Sequence, residues 1–203
     1  MLFPPLHDAA AAILGRAFAD DPLIAAIVGP TPDAAARVRQ ITRLFRVILA
    51  ENRRAGQPII GVLDEGRVAA AAILEQVARP DSSVATVLHG LFRLPELAGA
   101  IGFGGVGRAV AALDTLLKHR PAEPHIYLNV LGVDPSCQRR HFGRAILDYL
   151  RVTAAARPDL AGVYLETATE SNVAYYTAAG YRTLGEFAPL GVRMWRMLQP
   201  RTP

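Results

Sequence analysis

Arg139, Arg140 and Arg144 stand around Gly143 in the stretch Val133-Asp134-Pro135-Ser136-Cys137-Gln138-Arg139-Arg140-His141-Phe142-Gly143-Arg144-Ala145. An apolar run precedes this stretch and an amphipathic run follows it, so it joins a buried strand to a helix start. Such a junction points free backbone N–H groups and the positive end of the helix dipole at one spot. The arginines add charge there, and Gly143 lets a ligand approach the backbone closely. The chemistry on offer is capture of a pyrophosphate-sized anion. The same residues also describe an ordinary βα turn with a solvated arginine cluster, and the stretch alone does not choose between the two.

Gly102-Phe103-Gly104-Gly105-Val106-Gly107 spells the G-x-G-x-x-G pattern of dinucleotide sites. A helix follows it and Glu123 lies near the distance of a ribose-binding acid, but the pattern also requires a strand before it. Leu94-Pro95-Glu96-Leu97-Ala98 makes a poor one, because proline cannot donate to a ladder. A flexible join between two helices is the better reading, and a nicotinamide nucleotide ranks behind other ligands. Cys137 is the single cysteine. It excludes an internal disulfide and an all-cysteine zinc site, no metal centre is expected, and no histidine is fixed beside it as a nucleophile's partner.

The elements that must position these groups can be read from periodicity. Residues 8–19 carry Ala12, Ile13 and Ala17 at helical spacing with Asp8 as N-cap, and Asp20-Asp21-Pro22 ends that helix. A second helix runs from Pro32 to about Ala55, with Val38, Ile41, Leu44, Phe45, Ile48 and Leu49 in one stripe. Ile59–Leu63, the turn Asp64-Glu65-Gly66 and Arg67–Leu74 form a β-hairpin. Residues 82–119 read as mainly helical, interrupted at Pro95 and between Gly99 and Gly107. His125–Val133 is a strand, apolar enough to be central. Phe142–Ala156 is a helix with Phe142, Ile146, Tyr149, Leu150 and Thr153 on one face. Val163–Thr167 is a strand, Asn172–Ala179 a short helix closed by Gly180, and Tyr181–Phe187 with Val192–Leu198 a closing antiparallel pair. Helices on both faces of a mixed sheet give an α/β (α+β) architecture, expected as one domain over 1–203.

Composition narrows the function. The chain has 203 residues, 51% hydrophobic and 20% charged, which is globular. No apolar run reads as long enough to span a membrane, the densest being Leu23–Val28 and Val68–Leu74, and Met1–Pro5 has no basic head. A cytoplasmic protein without a membrane partner is the expectation. Net charge is +4, from 22 basic and 18 acidic residues. The basic residues are almost all arginine and are scattered, with no basic run interleaved with aromatics, so no nucleic-acid partner is expected. A modest positive field suits a small anionic ligand.

Four motifs in order then carry a family resemblance: His125-Ile126-Tyr127-Leu128; Val133-x-Pro135-x-x-Gln138-x-x-x-x-Gly143; Leu165-Glu166-Thr167; and Asn172-x-x-x-Tyr176-x-x-x-Gly180-Tyr181. The chain resembles the GCN5-related N-acetyltransferase (GNAT) superfamily, most of all its puromycin N-acetyltransferase-type small-molecule enzymes. The resemblance is good over 125–198, weaker over 8–75 and says little for 76–120. It implies a mostly antiparallel sheet with splayed central strands, acetyl-CoA as co-substrate, a small-molecule primary amine as acceptor in a ternary complex, and it allows a homodimer.

The resemblance also implies roles. Leu131, Gly132 and Val133 would offer main-chain groups to the pantetheine amides. Gln138, Arg139, Arg140, His141, Phe142, Gly143, Arg144 and Ala145 would form the diphosphate loop, and Asn172 would touch the arm or cap its own helix. Tyr176 would stand by the leaving sulfur, as a core aromatic or as a donor to developing negative charge. Full proton transfer from a phenol of pKa ~10 to a thiolate of pKa ~8.5 is uphill. Glu166 would draw a proton from the ammonium through water, with Asp20 and Asp21 as alternatives that could also bind a cationic substrate. His125 and Tyr127 could touch the acceptor or simply pack. One departure stands out. Where the family loop reads Gln/Arg-x-x-Gly-x-Gly/Ala, His141 occupies the first glycine, which would crowd the diphosphate or demand a different backbone conformation. A catalytically idle acyl-CoA-binding module is the second reading.

Overall fold

The computed structural model describes residues 6–77 and 94–202. Helix α1 (His7–Ala17) buries Ala10, Ala11, Ile13 and Leu14. Leu6, not Asp8, occupies its N-cap position; Asp8 lies in the first turn and pairs with Arg46 at 2.8 Å. The Asp-Pro break does end α1, but it also starts a helix that the sequence reading missed. Asp21 caps α2 (Pro22–Val28) by accepting the Ile24 N–H at 2.9 Å, with Pro22 at the first helical position. Helix α3 (Ala34–Arg54) is capped by Asp33 and buries Ile41, Leu44, Phe45 and Leu49, most of the expected stripe.

Strands β1 (Ile59–Asp64) and β2 (Arg67–Val77) form the expected hairpin. Residues 82–93 lie outside the described residues. Helix α4 (Leu94–His119) runs through the glycine-rich stretch, kinked at Gly102 (φ 72°). Gly102, the first residue of the G-x-G-x-x-G pattern, breaks the helical path, so the stretch joins two helices as expected; residues 94–101 before it are helical and no strand leads into it, which removes its phosphate-loop reading. By length and composition α4 could cross a membrane, contrary to the expectation that no run was apolar enough. Here it packs on α2 and α3, with Phe103 and Val110 exposed.

Strand β3 (His125–Val133) has the expected bounds, and a short 3-10 turn (Pro135–Cys137) leads to α5 (Phe142–Ala155). The buried face of α5 is Gly143, Ile146, Leu147, Leu150 and Ala154, and Tyr149 is exposed, so the stripe is rotated from the expected one. Next come β4 (Gly162–Thr167), α6 (Glu170–Ala178), β5 (Arg182–Phe187) and β6 (Met194–Pro200). The sheet order is β1-β2-β3-β4-β6-β5, antiparallel except for β3 with β4. The mixed, mostly antiparallel sheet with helices on both faces is the expected architecture. One core joins α1, α3 and α4 to one sheet face, and a second joins α5 and α6 to the other.

The feature that makes a site is the β3–β4 pair. These strands meet only at Ile126 with Val163 and Tyr127 with Tyr164, then part. Across β2, the register steps from Leu128–Leu74 to Val130–Ile73 and leaves Asn129 unpaired. A bulge of this kind bends and over-twists its strand, and here it falls where the two strands separate.

Candidate active site

A cleft of about 690 Å³ opens where β3 and β4 diverge. Its floor is Leu131, Gly132 and Val133; one wall is the β3–α5 loop and another is α6, with Asn172, Tyr175 and Tyr176. The α1–α2 junction closes the remaining side with Ala17, Phe18, Asp20 and Asp21. Residues more than a hundred positions apart in sequence thus share one cavity.

The loop builds an anion-sized cradle. The N–H groups of His141, Phe142, Gly143 and Arg144 have no acceptor among the described residues; the first helical bond is Ala145 N to His141 O, at 2.9 Å. Gln138, Arg139, His141, Phe142, Gly143 and Arg144 all line the cleft. Arg140 and Ala145, expected with them, do not. Arg140 turns to the β1–β2 hairpin, where it makes a two-pronged pair with Asp64 at 2.7 and 3.0 Å. Ala145 is already inside the helix, its N–H spent on His141. Arg144 remains at the cleft while contacting Asp148 at 3.1 Å and the Ala178 carbonyl at 3.3 Å.

Packing accounts for two glycines here, and for Gly143 this differs from the expected close approach of a ligand. A Cβ on Gly143 would meet the Tyr175 hydroxyl at 2.9 Å and Val133 Cγ2 at 3.3 Å. Its smallness therefore serves the packing of α5 against β3 and α6 rather than a ligand. A Cβ on Gly132 would meet Leu14 Cδ2 at 2.6 Å, so this glycine lets α1 close over β3. His141 does take an unusual backbone conformation, φ 63°, as does Arg139 at φ 61°. The left-handed turn that a glycine would supply is thus kept without one.

Tyr176 is 8% exposed, lines the cleft, and its hydroxyl has no hydrogen-bond partner among the described residues. Burial first, then Tyr175 and the Asp21 charge, push its pKa above the tyrosine range, so it stays a neutral donor. Asn172 is exposed at the cleft and sits in the first turn of α6; Thr169 occupies the N-cap position instead. Burial also pushes the Asp21 carboxyl up, opposed by the N–H groups of Ile24 and Leu23.

Glu166 is not among the cleft-lining residues. It lies two residues beyond the last β3–β4 pair, on the splayed part of β4 and on the sheet face of Tyr164. Burial raises its carboxyl, and the hydroxyls of Tyr127 and Tyr164 with the charges of Arg120 and Arg196 hold it down. Arg120 stacks on Tyr127, its guanidinium 4.1 Å from the ring centroid, and bonds Glu75 at 3.1 Å. His125 and Tyr127 are buried and pack with Tyr164, away from the cleft. Sequence reasoning missed the Asn129 bulge, for which an apolar strand gives no signal, and the lining by Thr169 and Tyr175.

No acyl carrier is needed to see what would fit. Beyond Tyr127 the β4-facing edge of β3 has no strand partner, and exposed backbone groups of this kind need hydrogen bonds. An extended, amide-bearing arm meets that need, and a diphosphate meets the free N–H groups of α5.

Residues 28–181 match the acetyltransferase (GNAT) family. Among solved structures, the chain is similar to a histone acetyltransferase HPA2 and related acetyltransferase from Corynebacterium glutamicum ATCC 13032, at 20% identity and a TM-score of 0.71, covering 100% of this chain and 94% of that one. It is also similar to arylalkylamine N-acetyltransferase 2 from Aedes aegypti (13%, TM-score 0.64, 99% and 97% covered). The ribosomal-protein-S18-alanine N-acetyltransferase from Escherichia coli matches at 16% with a TM-score of 0.57, covering 100% and 92%. At these identities the likeness is one of fold.

Proposed function

Because this chain belongs to the acetyltransferase (GNAT) family, we propose that it moves an acetyl group from acetyl-CoA to a primary amine of a small molecule by direct attack in a ternary complex. The observation that carries the reading is the splay of β3 from β4 beside a helix start with unspent N–H groups. Bound acetyl-CoA would supply an activated acyl group. Leu131, Gly132 and Val133 would hold its arm through their main chain, with Asn172 beside it. Phe142, Gly143 and Arg144 would bind its diphosphate through N–H groups, with Arg139 and Arg144 adding charge.

Tyr176 donates a hydrogen bond to negative charge growing in the cleft. Its raised pKa favours this over full proton release. The amine must be neutral to attack, yet an alkyl ammonium of pKa near ~10.4 is neutral only about one part in 10³ at pH 7. Glu166, which does not line the cleft, would need a bridging water to draw that proton, and the burial that raises its carboxyl makes it a stronger base than an exposed glutamate. Release of CoA thiol from acetyl-CoA across a library of amines tests the reading. Amine-dependent release supports it; CoA binding with no release for any amine would favour the idle acyl-CoA-binding module.

A further inference from the structure

Resting on that reading, we infer that Phe18, Asp20 and Asp21, at the α1–α2 end of the cleft, form a subsite for a second positive charge on the acceptor. Preferred acceptors are then diamines or longer polyamines, ahead of monoamines and zwitterionic amino acids. Arg139 and Arg144 of the β3–α5 loop and helix start, and Asp20 and Asp21 of the α1–α2 junction, line the same cleft in a chain whose net charge is +4.

Asp21 is the more shielded of the two carboxylates. Its Oδ1 caps α2, it is partly shielded from water, and no cationic side chain pairs with it among the described residues. Asp20 extends into solvent, with Arg37 at 3.8 Å. A partly buried carboxylate without a counter-ion is costly, and a ligand ammonium would supply one. The Tyr176 hydroxyl, on a side chain 8% exposed and unpartnered, lines the same cavity, so the carboxylates adjoin the place where chemistry is proposed. Phe18, packed on Phe45 at 5.3 Å between centroids, offers an apolar and π surface for the methylenes and charge of such a chain.

Calorimetric titration of the CoA-saturated protein with 1,4-diaminobutane and with butylamine tests the assignment, alongside initial rates for both amines. The diamine should bind about tenfold or more tightly than the monoamine. Asp21→Asn keeps a helix-capping oxygen and removes the charge, so the variant should fold while its diamine preference collapses toward one. Asp20→Asn, which disturbs no cap, should narrow the preference severalfold and serves if Asp21→Asn fails to fold. Equal affinity for the two amines, a preference that survives both variants, or tighter binding of a zwitterionic amino acid overturns the inference. A diamine preference without acetylation of any amine would leave the subsite standing and sink the enzymatic reading instead.

Discussion

A phenol whose pKa is pushed above the tyrosine range by burial stays a neutral hydrogen-bond donor at neutral pH, and Tyr176 is such a group. Removing only its hydroxyl should therefore cost rate and not affinity for the acyl donor. Tyr176→Phe is expected to lower kcat by about 10²–10³ while the acetyl-CoA KM changes little, as read by steady-state kinetics. Unaltered kcat would return Tyr176 to the hydrophobic core. His141 poses the opposite question, because its left-handed backbone is tolerated rather than preferred by a side chain. His141→Gly should raise stability by about 0.5–1 kcal/mol after allowing for the greater freedom of glycine in the unfolded chain, seen as a higher urea midpoint. A lower midpoint would mean the imidazole contributes packing that outweighs the strain. Spacing in the sequence was enough to bring Tyr176, Asn172 and His141 to one cleft. It was not enough for Arg140, whose partner Asp64 is far away in sequence, because spacing carries no information about where a long side chain turns.

Elements were legible where one period dominated. The β1–β2 hairpin, β3 and α5 follow from alternation or helical spacing. The Asp-Pro pair after α1 misled because it can stop one helix and start the next, and only the Asp21 cap distinguishes the two. Nothing local announces that β6 inserts between β4 and β5, since that pairing is fixed by the sheet as a whole. The β3–α5 loop depends on a non-local tie as well. Asp134 accepts the Ser136 N–H at 2.9 Å and hydroxyl at 2.7 Å, and it pairs with Arg16 of α1. Burial alone would raise the Asp134 carboxyl, but Arg16 and Ser136 outweigh it and hold the pKa below the usual value of 3.8. A depressed folded-state pKa stabilises the native protein above the unfolded value, and that gain fades as pH falls through the folded one. Asp134→Asn should thus cost about 1 kcal/mol at pH 7, kept small because Arg16 is largely solvated, and the difference from the parent should shrink as pH falls below the usual carboxylate range. Thermal melts from pH 3 to 7 give the check; a pH-independent difference would point to lost geometry rather than lost charge. The same variant should raise the acetyl-CoA KM, since the tie holds the cradle against α1.

At the scale of the whole molecule, the cleft exists only when both parts of the chain are folded together. α1 and the α1–α2 junction form one side, while β3, α5 and α6 form the others. A ligand spanning these parts has nothing comparable to bind in the unfolded chain, so it stabilises the native state by RT ln(1 + [L]/Kd), about 2.7 kcal/mol at a hundredfold excess over Kd. CoA is polyanionic, and it would approach a molecule of net charge +4 whose cleft mouth carries Arg139 and Arg144. Salt shortens the reach of that attraction from roughly 10 Å at 0.1 M to about 3 Å at 1 M. The rise in melting temperature produced by a fixed CoA concentration should accordingly shrink as sodium chloride is raised across this range. If Arg139 and Arg144 focus the field on the cradle, replacing both by glutamine should remove most of that salt dependence along with part of the affinity. Replacing the exposed Arg43 and Arg46 of α3, which take equal charge from outside the cleft, should leave most of it. Stabilisation by CoA that ignores salt would show that backbone N–H groups and packing hold the ligand, with the arginines as bystanders.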